Sequence, residues 1–512
     1  MKYIKFLTII LLASLFSFSC TKLDEELRDA VRNESSTVTA AGLLQGAYES
    51  FNTPLQDQSR IWAASEHTTD EALGPTRGPD WDDNGVWRVL HAHTWNADHA
   101  FLRDTYRELL AVQFAASTVL TKSPTPVQTA EAKFIRALST FYVLDAWDQV
   151  PYRTDLSDLT KLPVTLKGTV AADTIIRELN EALPALTDGT PIRANKDAAR
   201  ALLMKVYLNR GVYANRAAPT FAAADMDQVI ALADQIIANP KYSLNANFYT
   251  NFAANNTAAS REMIYALENT VGVRGGNNRF FWFCGLHYNM KPSGWNGFCT
   301  LADFYDKFEA ADTRRGAAYP GVTNVTGLRV GLLEGQQFDQ NGTALKDRKG
   351  NNLAFTRKVA LQETGNDLEI TGIRVIKYPP DFAQGIEGNA ENELVIFRLA
   401  DVLLMKAEAL LRKGNAPGAL AIMNDLRAVR GATPLASATL TNLLEERGRE
   451  MYWEGWRRND MIRFGKFLDP LVAAPGTTST RPTKSGVERL LFAIPNQQLA
   501  VNPNLEQNPG YN

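Results

Sequence analysis

Across 512 residues the formal net charge is −2, with 54 basic and 56 acidic side chains, and 45% of the residues are hydrophobic. A near-neutral chain has no basic surplus to hold phosphate backbones, which argues against nucleic acid as a partner. The apolar content is ample for a large core, and beyond the N-terminus no apolar run reaches the ~18 residues that a membrane span needs.

Lys2 and Lys5 precede an uncharged, mostly apolar run from Phe6 to Phe18, which ends at Ser19 and Cys20. That run is too short to cross a hydrocarbon core of about 30 Å as a helix. With basic residues ahead of it and small ones at its end, it reads as a secretory signal peptide over residues 1–19. A cysteine at the cut predicts a lipoprotein whose acylated Cys20 becomes the first residue; an ordinary secreted protein with an incidental cysteine is the alternative. Removal of residues 1–19 takes two lysines and no acid, leaving 52 basic against 56 acidic residues, a net −4. Residues 20–40 then form a lipid-anchor linker. Cys284 and Cys299 remain as candidates either for a disulfide or for two buried thiols.

Hydrophobic periodicity predicts a mostly helical mature chain, with helices over 100–120, 129–147, 170–183, 198–211, 223–238, 397–411, 416–429 and 440–457. Gly414 is expected to end one helix before the next begins. The tetrapeptide Leu-Leu-Met-Lys occurs at 202–205 and again at 403–406, each time in the first helix of a pair. Paired helices with small residues at their crossings predict degenerate tetratricopeptide-like repeats within one fold. The expected organisation is an N-terminal helical region over 41–260 and a C-terminal region over 261–512, packed as one globular unit. Residues 241–390 are richer in Gly, Asn, Thr and Pro, with short candidate strands at 327–333 and 372–378. Asp339-Gln-Asn-Gly342 and Lys349-Gly-Asn-Asn352 read as hairpin turns. A calcium-loop reading of the first fails because the downstream glutamate is missing at EF-hand spacing.

The chemically loaded stretch runs from Ser65 to His99, where Trp81, Trp87 and Trp95 lie within 15 residues and four of the five histidines fall. Gly and Pro mark it as a loop, and tryptophan beside Asp, Asn and Arg suits a sugar: the ring packs the apolar face while the polar groups meet hydroxyls. The candidate ligand residues are Asp70, Arg77, Trp81, Asp82, Asn84 and Trp87 here, and Trp282, Tyr288, Trp295 and Asn296 in a second loop. The competing reading has these rings filling core while the charges pair locally. No catalytic residue is nominated: His91, His93, His99 and His67 lack the motifs that accompany zinc. Asp82/Asp83 or Glu66/Asp70 are the carboxylates an anchored glycosidase would use. No cofactor is expected, and the residues do not say whether a structural calcium is bound.

The C-terminal third carries a family resemblance. Residues 445–465, Glu-Glu-Arg-Gly-Arg-Glu-Met-Tyr-Trp-Glu-Gly-Trp-Arg-Arg-Asn-Asp-Met-Ile-Arg-Phe-Gly, resemble a helix pattern of the SusD/RagB family. Phe397-Arg-Leu-Ala-Asp-Val-Leu-Leu-Met-Lys-Ala-Glu408, Asn424-Asp-Leu-Arg-Ala-Val-Arg-Gly431, the ending from Phe492 to Tyr511 and Phe134-Ile-Arg-Ala-Leu-Ser-Thr-Phe-Tyr142 are similar to further family segments in the family's order. Glu446, Arg449, Glu450, Glu454 and Arg457 stand three or four apart and are expected to ladder along one helix face at a few tenths of a kcal/mol per pair, as scaffold. The resemblance implies a mainly α-helical fold. It also implies a surface-exposed outer-membrane lipoprotein that binds a glycan or other nutrient as the lid of a SusC-like, TonB-dependent barrel. The acidic cluster after Cys20 resembles a surface-export signal of Bacteroidetes lipoproteins. A peptide-binding member of the same family is the alternative within it.

Overall fold

The computed structural model describes residues 38–270, 278–382 and 390–511; the expected signal peptide, Cys20 and most of the expected linker lie outside them. The predicted helices form, with one exception, and side-chain caps mark several of their starts. α1 is Ala40–Glu49, α2 Ala100–Val119, α3 Pro126–Trp147, α4 Gly168–Ala182, α5 Lys196–Ala214, α6 Ala223–Ile237, α7 Leu399–Arg412 and α8 Ala416–Val429. α3 begins three residues before the periodicity does, because Thr125 and Gln128 form a capping box around Pro126. Asn195 caps α5 by accepting the Ala198 N–H at 2.9 Å, and Asn415 caps α8 through the Gly418 N–H at 3.0 Å.

Each helix from α2 to α8 packs on the next, so the array continues from α6 to α7 across the long irregular middle of the chain. Ala400, Ala407 and Ala419 are fully buried where α7 meets α8, letting the backbones approach while Leu404, Met423 and Leu426 fill the seam. No helix among the described residues is long and apolar enough to cross a membrane.

The exception is the helix expected over 440–457. α9 spans Leu440–Met451 and α10 spans Arg457–Arg463, and between them the chain turns sharply. Trp453 (φ 59°) and Gly455 (φ 82°) are left-handed there. Periodicity could not reveal this because distant groups hold the turn. Glu71 accepts the Trp453 N–H at 3.0 Å, Glu66 accepts the Gly455 N–H at 2.6 Å, and Lys377 Nζ donates to the Tyr452 carbonyl at 2.6 Å. Glu71 and Glu66 are themselves buried, and burial raises Glu66 to about 7.

The break also overturns the surface ladder. Of its five residues only Arg449 and Glu446 pair within the helix, at 2.8 Å. Glu446, Glu450 and Glu454 are instead buried among Arg314, Arg398, Arg427, Arg430 and Lys377, while Arg457 reaches back to Asp70.

The middle region supplies short antiparallel strands. β1 Met263–Leu267 pairs with β4 Leu394–Arg398, and β2 Val330–Leu333 with β3 Arg374–Ile376 in the register Arg374 to Leu333. Both predicted hairpin turns form; Gly342 and Gly350 occupy left-handed positions in them. Cys284 and Cys299 are free, buried thiols.

Candidate functional site

Two loops more than 200 residues apart in sequence meet on one face. The first follows the short helix Ile61–Glu66 and a two-residue strand, Thr76–Arg77, that pairs in parallel with Gln362–Glu363. It then turns through left-handed backbone at Trp81, Asp83 and Asn84 before the helix Val86–His91. Asp and Asn tolerate that conformation, but for tryptophan it is strained and must be held from outside. It is held by the second loop: Trp81 Nε1 donates to the Trp295 carbonyl at 2.9 Å, and the ring lies 4.9 Å from Phe298 and 5.8 Å from Trp87.

The second loop, 283–297, folds on its own backbone. The Trp295 N–H donates to the Phe283 carbonyl at 2.7 Å and the Asn296 N–H to the Leu286 carbonyl at 2.8 Å. Gly297 is required by close approach, since a Cβ there would come within 2.2 Å of the Trp81 ring. Trp295 is left 39% exposed, an aromatic surface next to half-buried Trp81, with ring centroids 6.4 Å apart. Tyr288 completes the arc. Its hydroxyl donates to Asp80 of the first loop at 3.2 Å, and the Arg348 guanidinium lies 3.9 Å from its ring centre. Glu369 fixes Arg348 through a 2.6 Å bond and also bonds the His287 ring, at 2.8 Å.

Five of the ten sequence candidates are therefore on the face: Trp81, Tyr288 and Trp295 as rings, Asp82 and Asn84 at the rim. Asp82 is paired with Arg88 at 2.5 Å, and Asn84 is exposed. The other five are corrected to supporting positions, because each is buried. Asp70 is clamped by Arg457 through bonds of 2.7 and 2.8 Å and lines a separate cavity of about 270 Å³ with Asp303 and Lys307. Arg77 is spent on the carbonyls of Gly297, Leu368 and Thr371. Trp87 donates to Asp83 at 2.7 Å from the core side, Trp282 is 1% exposed, and Asn296 turns its Oδ1 inward to Arg374.

Asp80, Arg279 and Arg348 were missed. Asp80 lies in the chosen loop, but Arg348 stands one residue before the turn expected at 349–352 and outside both candidate loops. Arg279, whose guanidinium is 4.9 Å from the Trp295 ring centre, carries no local signal. The histidines considered for zinc are buried pegs. His91 is bonded to the His67 carbonyl and Thr480, His93 to the Thr68 carbonyl and Ser485, and His99 to the Val86 carbonyl. His67 packs edge-on to Trp62 and Phe298, and burial lowers it to about 3.

The SusD family profile matches residues 248–511, more than half of the chain. This chain belongs to the SusD family. It is 26% identical over 427 residues to the starch-binding protein SusD of Bacteroides thetaiotaomicron, covering 77% of this chain and 74% of that protein. It is 23% identical over 417 residues to SusD-like protein P38 of Formosa agariphila, covering 74% and 73%. Among solved structures, surface glycan-binding protein A of Bacteroides thetaiotaomicron in complex with laminarihexaose superposes with a TM-score of 0.67 at 17% identity, over 92% of this chain and 98% of that one. A laminarin-binding SusD-like protein gives 0.68 at 21%, over 92% and 99%. These likenesses carry the SusD fold across the described chain. The matched span holds the second loop and the buried charge network but not the first loop, so Trp81 enters the site through geometry alone.

Proposed function

We propose that this chain is a lipid-anchored cell-surface binding protein that captures a glycan on the Trp81–Tyr288–Trp295 face and hands it to a SusC-like, TonB-dependent barrel. The carrying observation is the meeting of the two loops: exposed Trp295 beside half-buried Trp81, with half-buried Tyr288 tied to the first loop through Asp80 and covered by Arg348. Flat rings pack the C–H faces of a sugar, and the edging groups donate to and accept from its hydroxyls. The starch- and laminarin-binding names of the relatives point the same way. Cys20 behind its signal peptide supports the anchor, and acyl groups on that residue are checked by mass spectrometry of the mature protein.

Binding without chemistry fits the carboxylates. Asp82 is paired with Arg88, Asp83 accepts from Trp87, and Glu66 and Asp70 are buried on the Gly455 N–H and Arg457, out of hydrogen-bond reach of a sugar on the surface rings. Titration of a neutral and an acidic oligosaccharide panel by calorimetry tests the reading. Trp295→Ala or Trp81→Ala is expected to weaken binding by roughly 1–3 kcal/mol, the range for one lost aromatic stack. Unchanged affinity in both variants refutes this site.

A further inference from the structure

Behind the loop that carries Trp295 lie two guanidiniums that make no ion pair among the described residues. Arg77 is 3% and Arg374 0% exposed, and they share the Thr371 carbonyl as an acceptor. Arg77 donates to the carbonyls of Gly297, Leu368 and Thr371 and to Thr371 Oγ1. Arg374 donates to the carbonyls of Thr371, Gly372 and Glu369 and to Asn296 Oδ1, and its Nε has no partner among the described residues. Every one of these acceptors is neutral. Glu363 is the carboxylate in their field, and it is turned to the Ala360 N–H at 2.7 Å. Two like charges at adjoining buried positions are costly, and water screens them little, so they project positive potential through the thin wall of residues 295–297.

The face in front continues that sign at its Trp295 end. Of its carboxylates, Asp82 and Glu369 are paired with Arg88 and Arg348, while Asp80 and Asp83 accept from the neutral Tyr288 hydroxyl and Trp87 Nε1 and keep their charge. Arg279 lies over Trp295 with no carboxylate partner among the described residues, and exposed Lys291 stands between Tyr288 and Trp295 in the same loop. Resting on the glycan-binding reading of this face, we propose that its ligand is an anionic glycan, its carboxylates or sulfate esters meeting Arg279 and Lys291 in the field of Arg77 and Arg374. A planar guanidinium beside a ring accepts a carboxylate or sulfate on its edge while the sugar ring packs the aromatic surface.

The test is calorimetric titration of the folded chain with three oligosaccharides of matched length: an oligouronide, a sulfated oligosaccharide and a neutral β-glucan. At about 50 mM salt one or both anionic ligands are expected to bind roughly tenfold more tightly than the neutral one, with the gap closing near about 0.5 M as the charges are screened. Preference for the uronide alone assigns carboxylates, and for the sulfated ligand alone sulfate. Arg279→Gln is expected to lower the ratio of anionic to neutral affinity several-fold. An anionic preference that Arg279→Gln does not move overturns the assignment. If the neutral glucan binds at least as tightly, and Trp295→Ala abolishes it, the charge inference falls while the glycan-binding site stands. If no glycan of either kind binds, both fall together.

Discussion

Two sets of arginines in this protein are buried to the same depth and answered in opposite ways. Arg314, Arg398 and Arg430 surround Glu450 and its neighbours, with N–O distances of 2.7–3.3 Å to Glu446, Glu450 and Glu262. Burial pulls the Arg398 guanidinium down, but Glu454 and Glu450 outweigh it and leave it well above its ordinary value. At Arg374, burial is reinforced by the neighbouring Arg77, and the group falls well below its ordinary value. The first set joins α8, α9 and the strands into one body. The second does nothing for cohesion that neutral side chains could not do, and it lies directly behind the loop with the exposed tryptophan. Paired burial is what a scaffold needs; unpaired burial leaves a field for something outside to answer.

The most damaging way to break the comparison is to unpair the first set. Glu450→Ala removes the carboxylate that three guanidiniums share, leaving Arg314 with Asp312 and Glu446, Arg398 with Glu262 and Glu454 and Arg430 with Glu262 alone, and is expected to cost about 3–5 kcal/mol, the penalty for breaking a buried charge network. Urea unfolding at neutral pH measures it. Arg374→Met removes a charge that had no counter-ion, so only hydrogen bonds are lost, and the expected cost is smaller, about 1–3 kcal/mol. Equal losses in the two variants would erase the distinction.

Titration separates a third arrangement, the clasp on the turn between α9 and α10. Against the upward push of burial, the guanidiniums of Arg430, Arg398 and Arg314 hold Glu450 well below the usual carboxylate range, so its contribution is lost only as pH falls into acid. Glu66 and Glu71 are the reverse case. Burial raises Glu66 to about 7 and Glu71 well above its ordinary value, and the two carboxyls also face each other. A raised carboxyl stabilises the fold below its unfolded value, and that contribution disappears as pH rises through the folded value. The melting temperature is therefore expected to fall as pH rises from about 4.5, the ordinary carboxyl value, through about 7, the raised value of Glu66, and Glu71→Gln to flatten that decline. A slope unchanged in the variant would remove the clasp from the account.

How much was legible in the sequence depends on how far away the deciding groups lie. Helices declare themselves through their own periodicity and caps; Thr125, Pro126 and Gln128 mark the start of α3 once the capping box is weighed above the apolar spacing. The break after Met451 could not be seen, because Glu66, Glu71 and Lys377 make it from remote positions. In the candidate site, ring type and loop context found Trp81, Tyr288 and Trp295. The same criteria also selected Trp87, Trp282 and Asn296, since composition does not say which side of a loop faces water. Arg279 and Arg348 acquire meaning only from the rings they cover.

The repeated Leu-Leu-Met-Lys tetrapeptide makes that lesson testable at the small end of the scale. In α5 Lys205 is 1% exposed, 2.7 Å from buried Asp401, and 3.7 Å from the centre of the Trp456 ring. In α7 the corresponding Lys406 reaches Asp234 at 2.5 Å, with 22% and 55% of the two side chains exposed. Local sequence is identical; α5 is packed between α4, α6, α7 and α10, whereas Lys406 reaches the exposed Asp234 of α6. Removing the exposed pair by Lys406→Met is expected to change stability by about 0–1 kcal/mol, because water already solvates both charges. The same change at Lys205 leaves Asp401 with Arg447 alone and is expected to cost several-fold more. Equal losses at the two lysines, measured by urea unfolding, would mean that the tetrapeptide sets the energy and its surroundings do not.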